Sequence, residues 1–219
     1  MMTRAEMKLA AKAQIKGKLG TFFLAYLMLV LFSFVASLIP FAGPIISALV
    51  SPSLTMGLIL ITLMAVNNQD ISLTDFFNGF NYFVKALLLF LLTFLFTFLW
   101  SLLFIVPGIV KGYAYRMAPY ILAENPEMSP LDCITASKNM TNGYKGDMFV
   151  IDLSFLGWML LVAVTFGIAG IYVYPYYMVT YGNFYVNLKN KVISQNNFTA
   201  ANEPSQPQQP ADEQKGPEL

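Results

Sequence analysis

The sequence predicts an all-α, polytopic membrane protein with six transmembrane helices arranged as three hairpins, together with short cytoplasmic amphipathic helices. Composition is the first observation, since 57% of the 219 residues are hydrophobic and only 11% are charged, against about 25% charged residues in soluble domains. The second is that several uncharged runs approach or reach the roughly 20 apolar residues that a spanning helix needs. The third is the regular alternation of these runs with Gly/Pro turns and polar segments.

Residues 1–20 predict a basic amphipathic helix in the cytoplasm. Its cations and its apolar residues each recur every four residues, on neighbouring faces. The cations are Arg4, Lys8, Lys12 and Lys16, and the apolar residues are Met7, Ala11, Ile15 and Leu19. Such a helix lies in the membrane interface, where its cations bind anionic lipid. The alternative is a positive flank that only fixes topology. A cleaved signal peptide is not expected, because another span begins at once.

Residues 21–190 are predicted to form the six-span membrane domain. The spans are expected at 21–39, 45–66, 86–106, 109–123, 148–166 and 171–188. The fourth is short and contains Lys111, Arg116 and Pro119. Residues 191–219 are rich in Gln, Pro, Asn and acidic residues, which is typical of a disordered tail and is expected to be cytoplasmic.

Two further cytoplasmic helices begin at recognisable caps. Ser72 and Asp75 form a variant of the capping box ahead of an aromatic-rich helix that Gly79 could interrupt. Ser129, Pro130 and Asp132 combine a capping serine, a proline at the first helical position and an acid in the first turn. Each of these helices precedes a predicted membrane hairpin, so the chain divides into three similar units, by repeat ancestry or because any six-span chain with short outer turns looks periodic.

The distribution of cations favours six spans over five. With the N-terminus inside, the outer turns 40–44, 106–108 and 167–170 contain no Lys or Arg, and eleven of the thirteen cations lie in cytoplasmic segments. A five-span chain would have seven cations outside and six inside, which is no bias. Positive residues accumulate in cytoplasmic loops, so both termini are expected in the cytoplasm of a multi-pass protein.

The fourth and sixth spans contain a candidate intramembrane polar site, since they hold nine of the twelve tyrosines. The candidate residues are Lys111, Arg116, Asp152, Tyr113, Tyr120 and Tyr177. A cation near the middle of a span costs roughly 2.5–3.5 kcal/mol, so Arg116 needs a partner. One interpretation is a structural ion pair with Asp152, the only carboxylate in another span. The other is a groove in which Arg116 and the tyrosines bind an anionic group.

Catalytic chemistry has no support in the sequence, and the chain is expected not to be an enzyme. It contains no histidine and a single cysteine, Cys133, so the commonest general base and a cysteine metal cluster are both missing. No nucleotide-binding or hydrolase motif is present. We expect no cofactor, no metal and no nucleic-acid partner.

Four motifs resemble a known bacterial family. They are PGIVKGY from Pro107, YILAENPEMS from Tyr120, the S-x-x-M-x-x-G-x-K pattern from Ser137, and LSFLGW from Leu153. Together they resemble the integral membrane proteins called domain of unknown function 975, over about residues 4–190. The resemblance implies a bacterial cell (plasma) membrane location and brings no molecular function.

Two functional interpretations remain from the sequence. The first is a non-enzymatic binding, scaffolding or envelope-related membrane protein whose partners are the lipid bilayer, with anionic lipids, and either a membrane protein or a second copy of the chain. The alternative is a small transporter or channel component for an anionic or amphipathic substrate, which the charged and tyrosine-rich spans favour.

Overall fold

The computed structural model describes residues 2–202, with side chains as far as Ser194. These residues form ten α-helices and no strand, which confirms the all-α class. The helices are α1 (Arg4–Ile15), α2 (Leu19–Ser37), α3 (Ala42–Val66), α4 (Leu73–Phe77), α5 (Phe83–Leu103), α6 (Ile105–Tyr115), α7 (Ala118–Glu124), α8 (Pro130–Met140), α9 (Lys145–Val164) and α10 (Gly170–Asn202). A 3₁₀ helix, Asn78–Tyr82, joins α4 to α5.

The length and composition of four helical stretches would allow them to cross a membrane. Among the described residues these are Leu19–Ser37, Ala42–Val66, Leu73–Leu103 and Lys145–Val164. The predicted fourth and sixth spans are not in this group. In place of the fourth there are two helices of 11 and 7 residues, α6 and α7, and α10 is long but rich in tyrosine and asparagine. Four helices are therefore compatible with crossing a membrane, and the six-span topology remains a prediction.

The predicted fourth span, 109–123, is wrong as a single helix. The chain breaks at Arg116 and Met117, between α6 and α7. Pro119 is the physical reason, because it has no N–H to donate to the carbonyl group four residues earlier and its ring crowds that turn. Ser137 of α8 stabilises the break, since its hydroxyl donates to the Ala114 carbonyl oxygen at 2.7 Å and accepts from the Met117 N–H at 3.2 Å.

The turn predicted at 106–108 is also misplaced. Helix α5 ends at Leu103, and the chain reverses at Phe104, which has an extended backbone. Pro107 lies in the first turn of α6, where a missing N–H costs nothing because those donors have no helical acceptor. Gly108 permits close packing of the two helices, since a Cβ there would lie 2.9 Å from the Ser101 Cα atom.

Helix α4 begins at the predicted cap, and the chain becomes a 3₁₀ helix around Gly79. Ser72 donates its N–H to Asp75 at 2.8 Å, and Asp75 donates its N–H back to the Ser72 hydroxyl at 3.4 Å. After five α-helical residues the chain continues as the 3₁₀ helix. A Cβ at Gly79 would lie 2.3 Å from the Ser53 carbonyl oxygen, so glycine lets this segment pack directly on the backbone of α3.

Burial divides the long helices into an inner and an outer group. In the most apolar 18-residue stretch of each helix, 67% of α3 is buried inside the protein, against 17% of α2 and 17% of α9. The tyrosine-rich α10 is an inner helix, because Tyr176, Tyr181 and Tyr185 are buried. Most of α7 is buried as well. The inner helices α3, α7 and α10 therefore contact mainly protein, while α2, α5 and α9 expose apolar side chains outward.

Helix α1 is amphipathic as predicted, but protein covers its apolar face. Thr3 and Glu6 form a capping box at its start. Met7, Ala11 and Ile15 are buried in the common core, and Gln14 exchanges side-chain hydrogen bonds with Asn183 of α10 at 3.2 and 2.6 Å. The stripe predicted to enter the membrane interface thus packs against the bundle, because a helix with one apolar face buries it against whichever apolar surface is available.

The C-terminal helix extends beyond its predicted end. Residues 191–202, assigned from sequence to a disordered tail, continue α10 to Asn202. No glycine or proline occurs between Gly182 and Pro204, so the local sequence contains no helix-breaking residue before Pro204. A residue that directly precedes a proline disfavours the helical conformation. The rest of the predicted tail, residues 203–219, lies outside the described residues.

Candidate functional site

Arg116 and Asp152 form an ion pair between the break that follows α6 and the middle of α9. The Arg116 Nη1 atom donates to Asp152 Oδ2 at 2.7 Å. The side chains remain 31% and 26% exposed, respectively. This is the contact that the ion-pair interpretation of the sequence expects. A charge-assisted bond of this length is among the stronger hydrogen bonds in proteins.

Three tyrosine hydroxyls complete the coordination of the Asp152 carboxylate. Tyr113 donates to Oδ2 at 2.7 Å, while Tyr177 and Tyr181 donate to Oδ1 at 2.8 and 2.6 Å. The Tyr177 hydroxyl also accepts a bond from Arg116 Nη2. Each carboxylate oxygen therefore has two donors, and the negative charge is fully bonded inside the protein.

The guanidinium group of Arg116 is also enclosed by aromatic rings. Its Cζ atom lies 4.2 Å from the centre of the Tyr181 ring. It lies 5.6 and 5.7 Å from the Tyr113 and Tyr177 rings. Cations within about 6 Å of a ring centre are attracted to it, by about 0.5–2 kcal/mol. The tyrosines thus stabilise both members of the pair, because their hydroxyls bond Asp152 and their rings attract Arg116.

Two of the predicted site residues lie elsewhere. The Lys111 amine is 4.3 Å from the centre of the Trp100 ring, on the α5–α6 hairpin. Tyr120 is buried in α7 and stacks on Tyr185, with ring centres 5.4 Å apart. The cluster therefore consists of Arg116, Asp152, Tyr113, Tyr177 and Tyr181, and neither Lys111 nor Tyr120 contributes to it.

Tyr181 was missed by the sequence-based prediction although a signal for it was present. Tyr177 and Tyr181 are four residues apart in one helix and so lie on the same face. A tyrosine predicted to face Arg116 implies that its neighbour one turn later does so too.

The protein of unknown function family DUF975 has a model that matches residues 1–111 and 104–192. The chain belongs to this family. The match confirms the resemblance that the four sequence motifs indicate. No curated protein and no solved structure matches the chain.

A second polar contact of this DUF975 protein joins α7 to the middle of α10. Lys189 donates to the Glu124 carboxylate at 2.6 Å, and the Tyr185 hydroxyl donates to the same oxygen at 2.7 Å. Lys85 bonds the carbonyl oxygen of Pro126 in the adjoining loop. These contacts hold the Asn-Pro-Glu turn, residues 125–127, in place between α5, α7 and α10.

The basic face of α1 in the DUF975 protein has little internal neutralisation. Arg4 lies 3.9 Å from Asp147, with both side chains more than 40% exposed. Lys8 and Lys12 have no carboxylate within 4.0 Å among the residues whose side chains are described. Instead the Lys8 amine lies 4.6 Å from the centre of the Phe155 ring, and the Lys12 amine 5.7 Å from that of Tyr176.

Metal and thiol chemistry have no geometric basis in the described part of the DUF975 protein. No group of three or more Cys, Asp or Glu side chains there could hold a metal ion. Cys133 is buried in α8, and burial raises the pKa of its thiol to about 11. Because the thiolate is the reactive form, this cysteine is expected to be inert in the folded protein.

Proposed function

We propose that the chain is a six-span protein of the bacterial plasma membrane with both termini in the cytoplasm. Burial of α10 and α7 supports this topology, because a helix enclosed by protein does not need the apolar surface that a lipid-facing helix needs. The Arg116–Asp152 pair and its tyrosines supply partners for the charges in the fourth and fifth spans. The absence of Lys and Arg from the three outer turns supplies the orientation.

The proposed activity is non-enzymatic binding of anionic lipid by the basic face of α1. The single observation that carries this proposal is the basic face of α1, which the bundle holds in a fixed position. Arg4, Lys8 and Lys12 lie along α1, and Lys16 directly follows its last residue. Of these four, Arg4 alone has a carboxylate within 4.0 Å in the part whose side chains are described. Juxtamembrane cations attract anionic lipid by about 1 kcal/mol each.

The Arg116–Asp152 cluster has a structural role in this proposal. It joins three helices, since its members come from α6, α9 and α10. All four donor contacts of the carboxylate are made within the protein, which leaves Asp152 poorly suited to activate a substrate. The groove interpretation, in which Arg116 binds an anionic group with Tyr113, Tyr120 and Tyr177, loses support because Tyr120 stacks on Tyr185 instead.

A lipid titration tests the proposed function. The full chain, purified in a neutral detergent, would receive increasing amounts of phosphatidylglycerol or of phosphatidylcholine, and its melting temperature would be measured. A ligand that binds only the folded state raises stability with its concentration, so phosphatidylglycerol should raise the melting temperature and phosphatidylcholine should do so much less. Equal effects of the two lipids would contradict anionic-lipid binding.

A further inference from the structure

The amines of Lys8 and Lys12 converge on one aromatic surface beside α1. Phe155 of α9 and Tyr176 of α10 form this surface, with ring centres 4.9 Å apart. Both rings are almost fully buried, so each lysine covers a ring that would otherwise face outward. Two lysines one helical turn apart are close enough to contact the same small anion.

The two lysines are held there rather than left free in solvent. Met7, Ala11 and Ile15, on the adjoining face of α1, are buried. Hydrogen bonds fix both ends of the helix to α10, from Gln14 to Asn183 and from the Met2 N–H to Asn187. The two lysines are therefore already ordered in the free protein, so that binding a ligand loses less conformational entropy.

The positive charge of this site is not neutralised within the described side chains. Asp152 is the nearest intramembrane carboxylate along α9, and Arg116 and three tyrosines already bond it. Burial, and next the charge of Lys12, lower the pKa of Lys8. Aromatic rings attract the ammonium groups but carry no net charge, so an anion would relieve this imbalance.

We propose that Lys8 and Lys12, above the Phe155–Tyr176 ring pair, bind the phosphate headgroup of one anionic phospholipid. The proposal rests on the proposed function and deepens it by assigning the site. The outer face of α9 favours a phospholipid over free phosphate, because it offers an apolar path for acyl chains. The exposed residues of that face include Leu153, Leu156 and Leu160.

The test compares two variants that each remove two positive charges from the chain. Lys8→Gln/Lys12→Gln removes the proposed site, and Lys18→Gln/Lys138→Gln removes two cations that lie outside α1 and outside the basic face. The dissociation constant for phosphatidylglycerol would be measured on the full chain in detergent, by titration of the melting temperature and by counting bound lipids with native mass spectrometry. The first variant should bind roughly 30-fold more weakly, from about fivefold per lysine, and the control within about twofold.

The possible outcomes separate the site from the general function. Equal losses in both variants would overturn the site and leave general attraction to anionic lipid intact. A wild-type chain that does not prefer phosphatidylglycerol to phosphatidylcholine would overturn both. Inorganic phosphate that competes fully at equal concentration would overturn the choice of a phospholipid. If the double variant does not fold, Lys12→Gln alone should weaken binding about fivefold, because Lys12 is exposed, and Lys8→Arg/Lys12→Arg should retain it.

Discussion

The hydroxyl of Ser137, in α8, donates a 2.7 Å hydrogen bond to the carbonyl oxygen of Ala114, in the last turn of α6. The same hydroxyl accepts the Met117 N–H at 3.2 Å. One side chain on a neighbouring helix thereby bonds two backbone groups at the break that Pro119 creates. Thr141, one turn further along the chain and just past the end of α8, adds a longer contact of 3.3 Å to the same carbonyl oxygen. Helix α8 and the broken segment α6–α7 consequently pack as one unit.

Ser137→Ala should destabilise the protein by about 1–3 kcal/mol, because it leaves two buried backbone groups without this partner. The expected result is a lower melting temperature of the detergent-solubilised chain. Ser194→Ala is the matched control, since the Ser194 hydroxyl is exposed and bonds only within its own helix. The control should change stability by less than about 0.5 kcal/mol. Equal melting temperatures for the two variants would show that Ser137 does not support the break.

Features that depend on neighbouring residues were predictable from the sequence. The cap at Ser129 and the capping box of Ser72 and Asp75 each need only a four-residue pattern, and both occur in the structure. The partner of Arg116 was also predictable, because the chain has a single carboxylate, Asp152, within another predicted span.

Features that depend on contacts between distant segments were not predictable in the same way. Whether the apolar face of α1 meets lipid or protein depends on how much of α10 and α3 is left uncovered, and the periodicity is identical in both cases. The break at Arg116 could be suspected from Pro119, but Ser137, which stabilises it, lies on another helix. The turn at Phe104 was misplaced because Pro107 and Gly108 are typical of a turn, whereas here proline begins a helix and glycine permits close packing.

Two glycine variants in α6 test the packing of the α5–α6 hairpin. A Cβ at Gly108 would come within 2.9 Å of the Ser101 Cα atom, whereas a Cβ at Gly112 would meet nothing within 4 Å. Gly108→Ala should therefore cost about 1–3 kcal/mol through overpacking. Gly112→Ala should be neutral or should stabilise the helix by up to about 1 kcal/mol. Melting temperatures of the two purified variants check this. A Gly108→Ala variant as stable as Gly112→Ala would show that close packing of α5 and α6 does not require glycine at position 108.

Introduced cysteines test the six-span topology, with native Cys133 as an internal reference. Ile168→Cys, at the exposed α9–α10 turn, should react with a membrane-impermeant maleimide in intact cells. Asn142→Cys, at the exposed turn after α8, should react only after permeabilisation. Labelling of Asn142→Cys in intact cells would place the α7–α9 segment outside and contradict six spans.

Cys133 itself should remain unlabelled in both conditions, although the six-span topology places it in the same cytoplasmic segment as Asn142. It is fully buried, and burial keeps the pKa of its thiol at about 11, well above neutral pH. Sodium dodecyl sulfate should expose it, and the gain in labelling on denaturation measures how completely the fold protects it. Reaction of Cys133 in permeabilised but native membranes would show that α8 opens readily.

Single and double substitutions of Arg116 and Asp152 test whether the pair is structural. Arg116→Ala leaves the carboxylate without its cation, and Asp152→Ala leaves the guanidinium with tyrosines alone. An unpaired buried charge is worse than none, with costs of about 3–5 kcal/mol at fully buried sites. We expect about 1–3 kcal/mol here, because the two side chains are 31% and 26% exposed and solvent weakens such pairs.

The double variant Arg116→Ala/Asp152→Ala should regain much of the melting temperature that either single variant loses, since it leaves neither charge unpaired. Lys111→Ala is the control for removal of a cation alone, because Lys111 contacts the Trp100 ring and lies apart from the cluster. Additive losses in the double variant would mean that the two residues act independently. An Arg116→Ala variant that folds at wild-type stability yet loses phosphatidylglycerol binding would instead identify Arg116 as a ligand-binding residue and exclude the structural role.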